Sequence, residues 1–252
     1  MNSRNIAIAS FKALAFSVLA FSAQAAEFVT NGSFESTTHG AGQLGYNTDA
    51  TGWTSAAPDG SYNFLFTSGS ADTTGAKSQY TGPNLTLWGP GNGVNNGLTA
   101  SSPDGGNFVA MDGAYHTGPL TQTITGLVVG QSYTLSFWYA GAQQSGYNGA
   151  TTEGVDVSLG GVTQDAPILN NVDHGFTGWK QETFTYTATS STELLSFLAN
   201  GTPNGEPPFT LLDGVSLTGP TATATPLPAA LFFVAPALAG VFGFSRRKQN
   251  KA

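Results

Sequence analysis

The alternation of apolar and polar residues in the second half of the chain is the feature that most constrains its fold. In 131–139, the apolar Tyr133, Leu135, Phe137 and Tyr139 occupy every second position. Six other short segments, separated by turn residues, have a similar strand-like composition: 107–111, 120–125, 154–159, 180–188, 194–199 and 209–217. A period of two places one set of side chains on one face of a sheet. Because no helical period precedes residue 226, the chain is predicted to be all-β, with an antiparallel β-sandwich.

The part before residue 107 is less regular. One short strand-like piece begins at Glu27, and another spans 51–55 and contains Trp53. Residues 58–106 are rich in Gly, Asn, Ser, Thr and Pro, with strand-like pieces at 62–66 and 85–88. This stretch is long for a connection without secondary structure in a compact domain. We expect large loops carrying short strands.

The two ends of the chain carry the signals of export and membrane insertion. Residues 1–25 combine Arg4 and Lys12 with an apolar run at 13–21 and a small-residue site at 23–25, which predicts a secretory signal peptide.

Residues 227–244 contain no charge and precede a basic tail at 245–252, which predicts one transmembrane helix with a cytoplasmic end. The alternative, a buried core helix, would require a polar face that this segment lacks. The exported domain is therefore predicted at 26–219, with a linker at 220–226.

The charge of the predicted exported domain excludes several functions. All fifteen acidic residues of the chain lie between Glu27 and Asp213, where only Lys77 and Lys180 are basic, so the formal net charge there is −13. Nucleic acid binding requires clustered cations and is excluded. Such a surface favours calcium and neutral polymers. The absence of cysteine excludes thiol catalysis and cysteine-bound zinc.

The C-terminal end resembles the PEP-CTERM sorting signal of Gram-negative bacteria. The resemblance rests on a short Pro-x-Pro motif, the apolar helix and a final basic cluster: Thr225, Pro226, Leu227, Pro228, Arg246, Arg247 and Lys248. Thr225 and Leu227 replace the valine and glutamate of the usual motif. The resemblance implies an exosortase-type membrane enzyme as a partner. It also implies secretion through the inner membrane, membrane anchoring, and a cell-surface or extracellular location after processing.

The order of four motifs across the exported domain resembles the galactose-binding-like jelly roll, which carbohydrate-binding modules share. These motifs are Asn31-Gly-Ser-Phe-Glu35, Thr-Gly-Trp53, a Gly126-Leu-x-x-Gly-x-x-Tyr133 segment, and Leu212-Asp-Gly-Val-Ser-Leu217. The resemblance implies a jelly-roll sandwich. It does not by itself fix a function, because this fold carries many.

A calcium site is predicted at Glu35 and Asp213. Asp213 is in phase with the apolar residues of 209–217 and points to the core in a straight strand, although a bulge at Gly214 would change this. A buried carboxylate needs a partner, and calcium accepts oxygen ligands. The resemblance implies a structural calcium between the first and last strands, at Glu35 and Asp213. Further oxygen ligands are predicted from three residues: Ser33, Asp104 and Asn107. The alternative places both acids at the surface or on turn amides.

A sugar site is predicted where 107–111 ends, at Asp112 and Tyr115, because an acid can bond hydroxyls and an aromatic ring can stack on a sugar face. The favoured alternative is that Asp112-Gly113 simply forms a turn. Further stacking candidates are spread over the chain: Trp88, Trp138, Tyr147 and Trp179. Trp138 stands out because it faces away from the apolar set of its strand.

Catalysis is not predicted. The sequence pairs no two carboxylates as a glycosidase requires, and it contains no Gly-x-Ser-x-Gly turn. His39, His116 and His174 lack metalloprotease spacing. The predicted function is therefore polysaccharide binding through a calcium-stabilised jelly roll. The alternative is a structural component of the matrix or envelope with no defined ligand site.

Overall fold

The computed structural model describes residues 25–55, 61–79 and 82–221. The predicted signal peptide, sorting motif, transmembrane helix and basic tail lie outside these residues. Within the described part of the chain, no helix has the length and apolarity needed to cross a membrane. The regular helical structure described is one short 3₁₀ helix, Pro90–Asn92.

Thirteen β-strands account for the described fold. In chain order they are β1 (Ala26–Glu27), β2 (Gly42–Gln43), β3 (Thr54–Ser55), β4 (Asn63–Phe66), β5 (Phe108–Asp112), β6 (Leu120–Thr125), β7 (Ser132–Gln143), β8 (Thr151–Leu159), β9 (Val162–Asp165), β10 (Leu169–Asn171), β11 (Lys180–Thr187), β12 (Thr192–Thr202) and β13 (Pro208–Gly219).

The strands form two antiparallel sheets. The seven-stranded sheet has the order β11-β7-β13-β5-β4-β2, with β1 also paired to β13. The six-stranded sheet has the order β10-β8-β12-β6-β3, with β9 also paired to β8. This arrangement confirms the predicted all-β antiparallel sandwich and is consistent with a jelly roll. Among the predicted strands, 120–125 matches β6 at both ends.

The main core lies between the sheets and is built from the residues that alternate in the sequence. Leu135 and Phe137 of β7 are fully buried there with Val155 and Val157 of β8 and Phe197 of β12. Burial of large apolar side chains is the main favourable contribution to folding. The period of two in β7 and β8 therefore correctly identified the faces that meet.

A second apolar cluster covers the outer face of the seven-stranded sheet. Phe64, Phe108 and Phe209 contribute from the sheet, and Leu87 and Leu98 from the covering segment 67–107. Strands β4 and β5 are consequently buried on both faces, as their continuous apolar sequences favour. Residues 67–79 and 82–107 thus form a packed cover over this sheet, without the short strand predicted at 85–88. They pair through isolated bridges, so they have no periodic signal in the sequence.

A bulge in β13 reverses the predicted orientation of its first half. The register with β7 shifts between Asp213 and Ser216, and Gly214 adopts a positive φ of 57°. Leu211 therefore belongs to the outer cluster, whereas Val215 belongs to the core between the sheets. The prediction that one phase runs through 209–217 was wrong, because the extra residue at the bulge changes the phase. Asp213 consequently faces the outer side, beneath the covering segment.

Candidate functional site

A cavity of about 450 Å³ opens at the end of the sandwich where β5 and β7 finish and β4 and β13 begin. Its volume is in the range of small-molecule sites. Six of its lining residues bear side chains able to stack or to form hydrogen bonds: Tyr62, Asp112, Tyr115, Gln144, Tyr147 and Asn204. The cavity therefore joins two predicted sugar-site residues, Asp112 and Tyr115, with the stacking candidate Tyr147.

Three tyrosine rings give the cavity its chemical character. Tyr62 is 7% exposed, whereas Tyr115 is 61% and Tyr147 is 39% exposed. The centroids of Tyr62 and Tyr115 lie 6.2 Å apart, and the ring of His116 lies 4.8 Å from that of Tyr62. Large exposed aromatic rings around a concave site provide apolar faces with a polar hydroxyl at the edge.

Asp112 holds the turn that carries Tyr115. Its Oδ1 accepts hydrogen bonds from the amides of Ala114 at 2.9 Å and Tyr115 at 3.2 Å, and its Oδ2 accepts one from His116 at 3.1 Å. Asp112 is only 1% exposed. The turn alternative is therefore what the structure shows for this carboxylate, and it positions the aromatic residue beside it.

A second set of contacts fixes the loop that carries Tyr147. The indole Nε1 of Trp88 donates to the Tyr147 carbonyl at 2.8 Å. The ring of His174 lies 4.2 Å from that of Trp88, and its Nε2 is 2.9 Å from Asn148 Oδ1. Trp88, predicted as a ligand residue, thus supports a cavity residue from behind.

Two carboxylates beside the cavity also hold this loop. Glu206 Oε2 accepts from the amide of Asn148 at 3.0 Å, and Asp173 Oδ1 accepts from the amide of Gly149 at 2.6 Å. Glu206 stands between two residues that line the cavity, Gly205 and Pro207. The walls of the cavity are therefore tied together by charge-assisted hydrogen bonds, which are stronger than neutral ones.

Two of the predicted stacking residues lie elsewhere. Trp138 faces outward as expected, and it pairs in register with Asp213, far along β7 from the cavity. A Cβ added at Gly214 would lie 2.9 Å from Trp138 Cδ1 and 3.1 Å from Asp104 Cβ. Trp138 therefore borders the predicted calcium residues. Trp179 packs edge-on against Phe108 in the outer cluster.

Asp213 is a fully buried carboxylate with an incomplete set of hydrogen bonds. The hydroxyl of Ser102 donates to Oδ2, whereas Oδ1 has no hydrogen-bond partner. Burial raises the pKa of Asp213 to about 8, bonds from Ser102 and Gly214 oppose this, and the charges of Asp104 and Glu35 add to it. A buried oxygen without a partner beside two other carboxylates is the chemistry that a cation relieves.

Among the other predicted calcium residues, the exposed Glu35 and Asp104 lie close enough for their charges to act on Asp213. Glu35 Oε1 accepts from the amide of Asn107 at 2.6 Å, and the Asn107 side chain donates to the Phe34 carbonyl at 2.9 Å. Gly106 allows this approach, because a Cβ there would lie 1.7 Å from Glu35 Oε1. Ser33 is half-buried in the turn that precedes Glu35.

The donor set of this cluster fits calcium only if neutral oxygens take part. In the described ranges, no three His, Asp or Glu side chains lie close enough together to hold a metal ion. Calcium commonly uses backbone carbonyl, amide and hydroxyl oxygens beside carboxylates. A calcium ion here would therefore need such neutral oxygens beside the buried carboxylate of Asp213.

Sequence reasoning missed a second buried acid, Glu153 of β8. It is 0% exposed, its Oε1 accepts from the Thr151 hydroxyl at 2.5 Å, and its Oε2 has no partner. Burial raises the pKa of Glu153 to about 7. Its position in phase with Val155 and Val157 was a readable signal of burial.

Sequence reasoning also missed the remaining cavity residues Tyr62, Gln144 and Asn204. Tyr62 was assigned only to a strand. Gln144 and Asn204 belong to separate loops that the pairing of β7 with β13 brings to the same end of the sandwich. No local residue pattern predicts that these loops come together.

No known protein family matches the chain, and no curated protein sequence matches it. Solved structures with a similar fold include TmCBM61 in complex with β-1,4-galactotriose, with 13% identity, a TM-score of 0.39 and coverage of 76% of this chain and 97% of that one. The cleaved adhesin domain of Lys-gingipain from Porphyromonas gingivalis has 14% identity, a TM-score of 0.40 and coverages of 77% and 99%. The xylan-binding domain CBM22-1 from Paenibacillus barcinonensis Xyn10C has 11% identity, a TM-score of 0.34 and coverages of 68% and 88%.

The buried Glu153 makes stability depend on pH. Its pKa rises from an ordinary 4.5 to about 7 on folding, so the folded state binds the proton more tightly. The cost of ionising it is absent below pH 4.5, grows as the pH rises to about 7, and is complete above that. Relative to Glu153→Gln, the wild type should lose about 3 kcal/mol of unfolding free energy between pH 4.5 and 8.

Urea unfolding of the purified full-length chain at several pH values measures this difference. The exposed Asp49→Asn is the matched control, and its offset from the wild type should stay constant across the range. A constant offset for Glu153→Gln as well would contradict the assignment.

Proposed function

We propose that this protein binds polysaccharide in the cavity at the end of the sandwich. The observation that carries the proposal is the convergence of Tyr62, Tyr115 and Tyr147 on one concave site of about 450 Å³. Tyrosine rings offer flat faces to the C–H groups of a sugar, while the amides of Gln144 and Asn204 offer donors and acceptors to its hydroxyls.

The supports of the two exposed rings strengthen this proposal. Asp112 accepts three turn amides beside Tyr115, and Trp88 donates to the carbonyl of Tyr147. A site whose loops are already fixed loses less conformational entropy when a ligand binds. Aromatic residues held in this way are the usual anchors of binding sites, since they bury much area with few rotatable bonds.

Removing either exposed ring should weaken binding. Tyr115→Ala and Tyr147→Ala should each lower the affinity for a bound glycan by about tenfold or more, because truncating an aromatic anchor costs about 2 kcal/mol. A glycan array would identify a bound glycan, and calorimetry would measure its affinity. Tyr46→Ala is the matched control, since Tyr46 is 48% exposed and lies outside the cavity.

Two results would argue against polysaccharide binding in the cavity. Loss of binding in Trp138→Ala, with both tyrosine variants unaffected, would place the sugar on the outer face of the seven-stranded sheet. Absence of saturable binding across a broad glycan panel would favour the structural matrix component instead.

We also propose that a calcium ion stabilises the domain between the first turn and the last strand. Asp213 would supply its unpartnered Oδ1, and Glu35 and Asp104 would supply the neighbouring charge, with oxygens of Asn107 and Ser33 as further ligands. The support is the buried, incompletely bonded carboxylate of Asp213. The ion would offset the repulsion among the three acids and link the turn at Glu35 to β13.

Calcium should therefore raise the melting temperature of the chelator-treated protein. At a free calcium concentration 100 times the dissociation constant, the stabilisation is about 2.7 kcal/mol, or roughly 5–10 °C for a domain of this size. Asp213→Asn should abolish the calcium response, whereas Glu153→Gln should retain it because Glu153 lies outside the cluster. An equal melting temperature with calcium and with chelator in the wild type would disprove the site.

We further propose, on the sequence alone, that the chain is exported and then sorted through its C-terminal end by an exosortase-type enzyme. The membrane would hold the chain through 227–244 until processing releases the domain to the cell surface or matrix. The supporting features are Pro226 and Pro228 before the apolar segment and the basic cluster after it.

Mass spectrometry of the mature protein from a Gram-negative host carrying an exosortase tests this proposal. Peptides containing Arg246, Arg247 and Lys248 should be absent from the mature form. If the C-terminus is intact, the segment 227–244 is a permanent transmembrane anchor.

A further inference from the structure

Three carboxylates lie at or beside the tyrosine cavity. Asp112 lines it, Glu206 stands between two lining residues, and Asp173 is bonded to the loop that carries Tyr147. The Oδ1 of Asp173 lies 3.4 Å from His174 Nε2, a pair that is ionic only when this histidine is protonated. In the described part of the chain the lysines are Lys77 and Lys180, and neither lines the cavity.

This combination of rings and charges discriminates among sugars. The face of a tyrosine ring attracts a cation, and the attraction grows when the cation is shielded from water. Carboxylates within and beside a concave site attract a cationic ligand further and repel an anionic one. A uronic acid or a sulfated sugar would therefore be disfavoured, and a neutral sugar would gain only stacking and hydrogen bonds.

We propose that the cavity binds a protonated amino sugar, a polysaccharide unit with a free amine, in preference to neutral or acidic units. This inference rests on the proposed polysaccharide-binding function and assigns its substrate class. The composition alone favoured neutral polymers. The three carboxylates at the cavity change that expectation, because they place negative charge where the ligand lies.

The carboxylates contribute chiefly through their charge. Both oxygens of Asp112 already accept hydrogen bonds from backbone amides. Asp112 therefore acts on the ligand through its charge and not through a direct hydrogen bond. Glu206 is half-buried at the rim and accepts one amide through Oε2. The ring of Tyr115, which is 61% exposed and lies 6.2 Å from that of Tyr62, offers the amine an aromatic face. Two imidazoles lie near the cavity, His116 beside the ring of Tyr62 and His174 beside Asp173, and a positive charge on either would oppose a bound amine.

Three hexasaccharides with the same β-1,4 linkage separate these possibilities. Glucosamine, N-acetylglucosamine and glucose hexamers differ only at carbon 2, which carries an amine, an acetamide or a hydroxyl. Calorimetry with the full-length chain in neutral detergent, at about pH 6.5 and 0.15 M salt, gives the three affinities. The amine hexamer should bind about tenfold more tightly than the other two, and this preference should shrink at about pH 9, where the amine is neutral.

Variants with equal charge changes show whether the preference belongs to the cavity. Glu206→Gln keeps an acceptor for the Asn148 amide but removes a charge, so it should reduce the amine preference several-fold while sparing the acetamide hexamer. Asp165→Asn removes an exposed charge on β9, away from the cavity, and should leave the preference unchanged. Tyr115→Leu should weaken binding of the amine hexamer at unchanged charge.

Equal or weaker binding of the amine hexamer would overturn the inference while leaving the proposed function intact if the neutral hexamers bind. An equal loss in Asp165→Asn and Glu206→Gln would also overturn it, because the preference would then reflect the net charge of the domain. If none of the hexamers and no glycan of a broad panel binds, the proposed function itself fails.

Discussion

The pairing of β7 with β13 is the interaction on which the rest of the molecule depends. These two strands of twelve residues each occupy the middle of the seven-stranded sheet, and part of each is covered on both faces. The core between the sheets packs on one side, and segment 67–107 packs on the other. Both candidate sites lie on this pair of strands. The cavity forms where β7 ends and β13 begins, and the predicted calcium cluster forms at the β13 bulge.

The sandwich and its covering segment bury polar groups as well as apolar ones. Asp213 and Glu153 are fully buried, each with one oxygen that lacks a hydrogen-bond partner. Burial of a carboxylate in this way costs stability at neutral pH, which a domain tolerates when the group has a use. For Asp213 the neighbouring acids Glu35 and Asp104 point to a cation. Glu153 has no such neighbours among the groups that shift its pKa, and its burial makes stability sensitive to pH.

The regular half of the fold was predictable because its signal is local. The alternation in 131–139 identified β7 and its buried face, and 120–125 identified β6 at both ends. The bulge at Gly214 was recognised as a possibility, but its effect on phase depends on pairing with β7, which no residue pattern in β13 specifies. The role of 67–107 was missed for a similar reason. Its apolar residues are scattered and find their partners only when the sheet has formed.

The candidate site was predictable in part. Asp112 and Tyr115 were singled out, yet Asp112 supports the turn instead of facing the ligand with a free oxygen. Tyr62 and Asn204 belong to the site because distant loops meet at one end of the sandwich, and sequence spacing does not encode that meeting. Trp138 was predicted as a ligand-binding residue with Asp112 and Tyr115, but it does not line the cavity with them.

The central claim is that the three-tyrosine cavity is where polysaccharide binds. Nuclear magnetic resonance of the protein with ¹³C-labelled tyrosine rings, titrated with the glucosamine and N-acetylglucosamine hexamers, tests it most directly. The claim predicts that the ring signals of Tyr62, Tyr115 and Tyr147 shift together and saturate at one midpoint, while the signal of Tyr46 stays unchanged. Saturable binding of either hexamer without a shift of these three signals would contradict it.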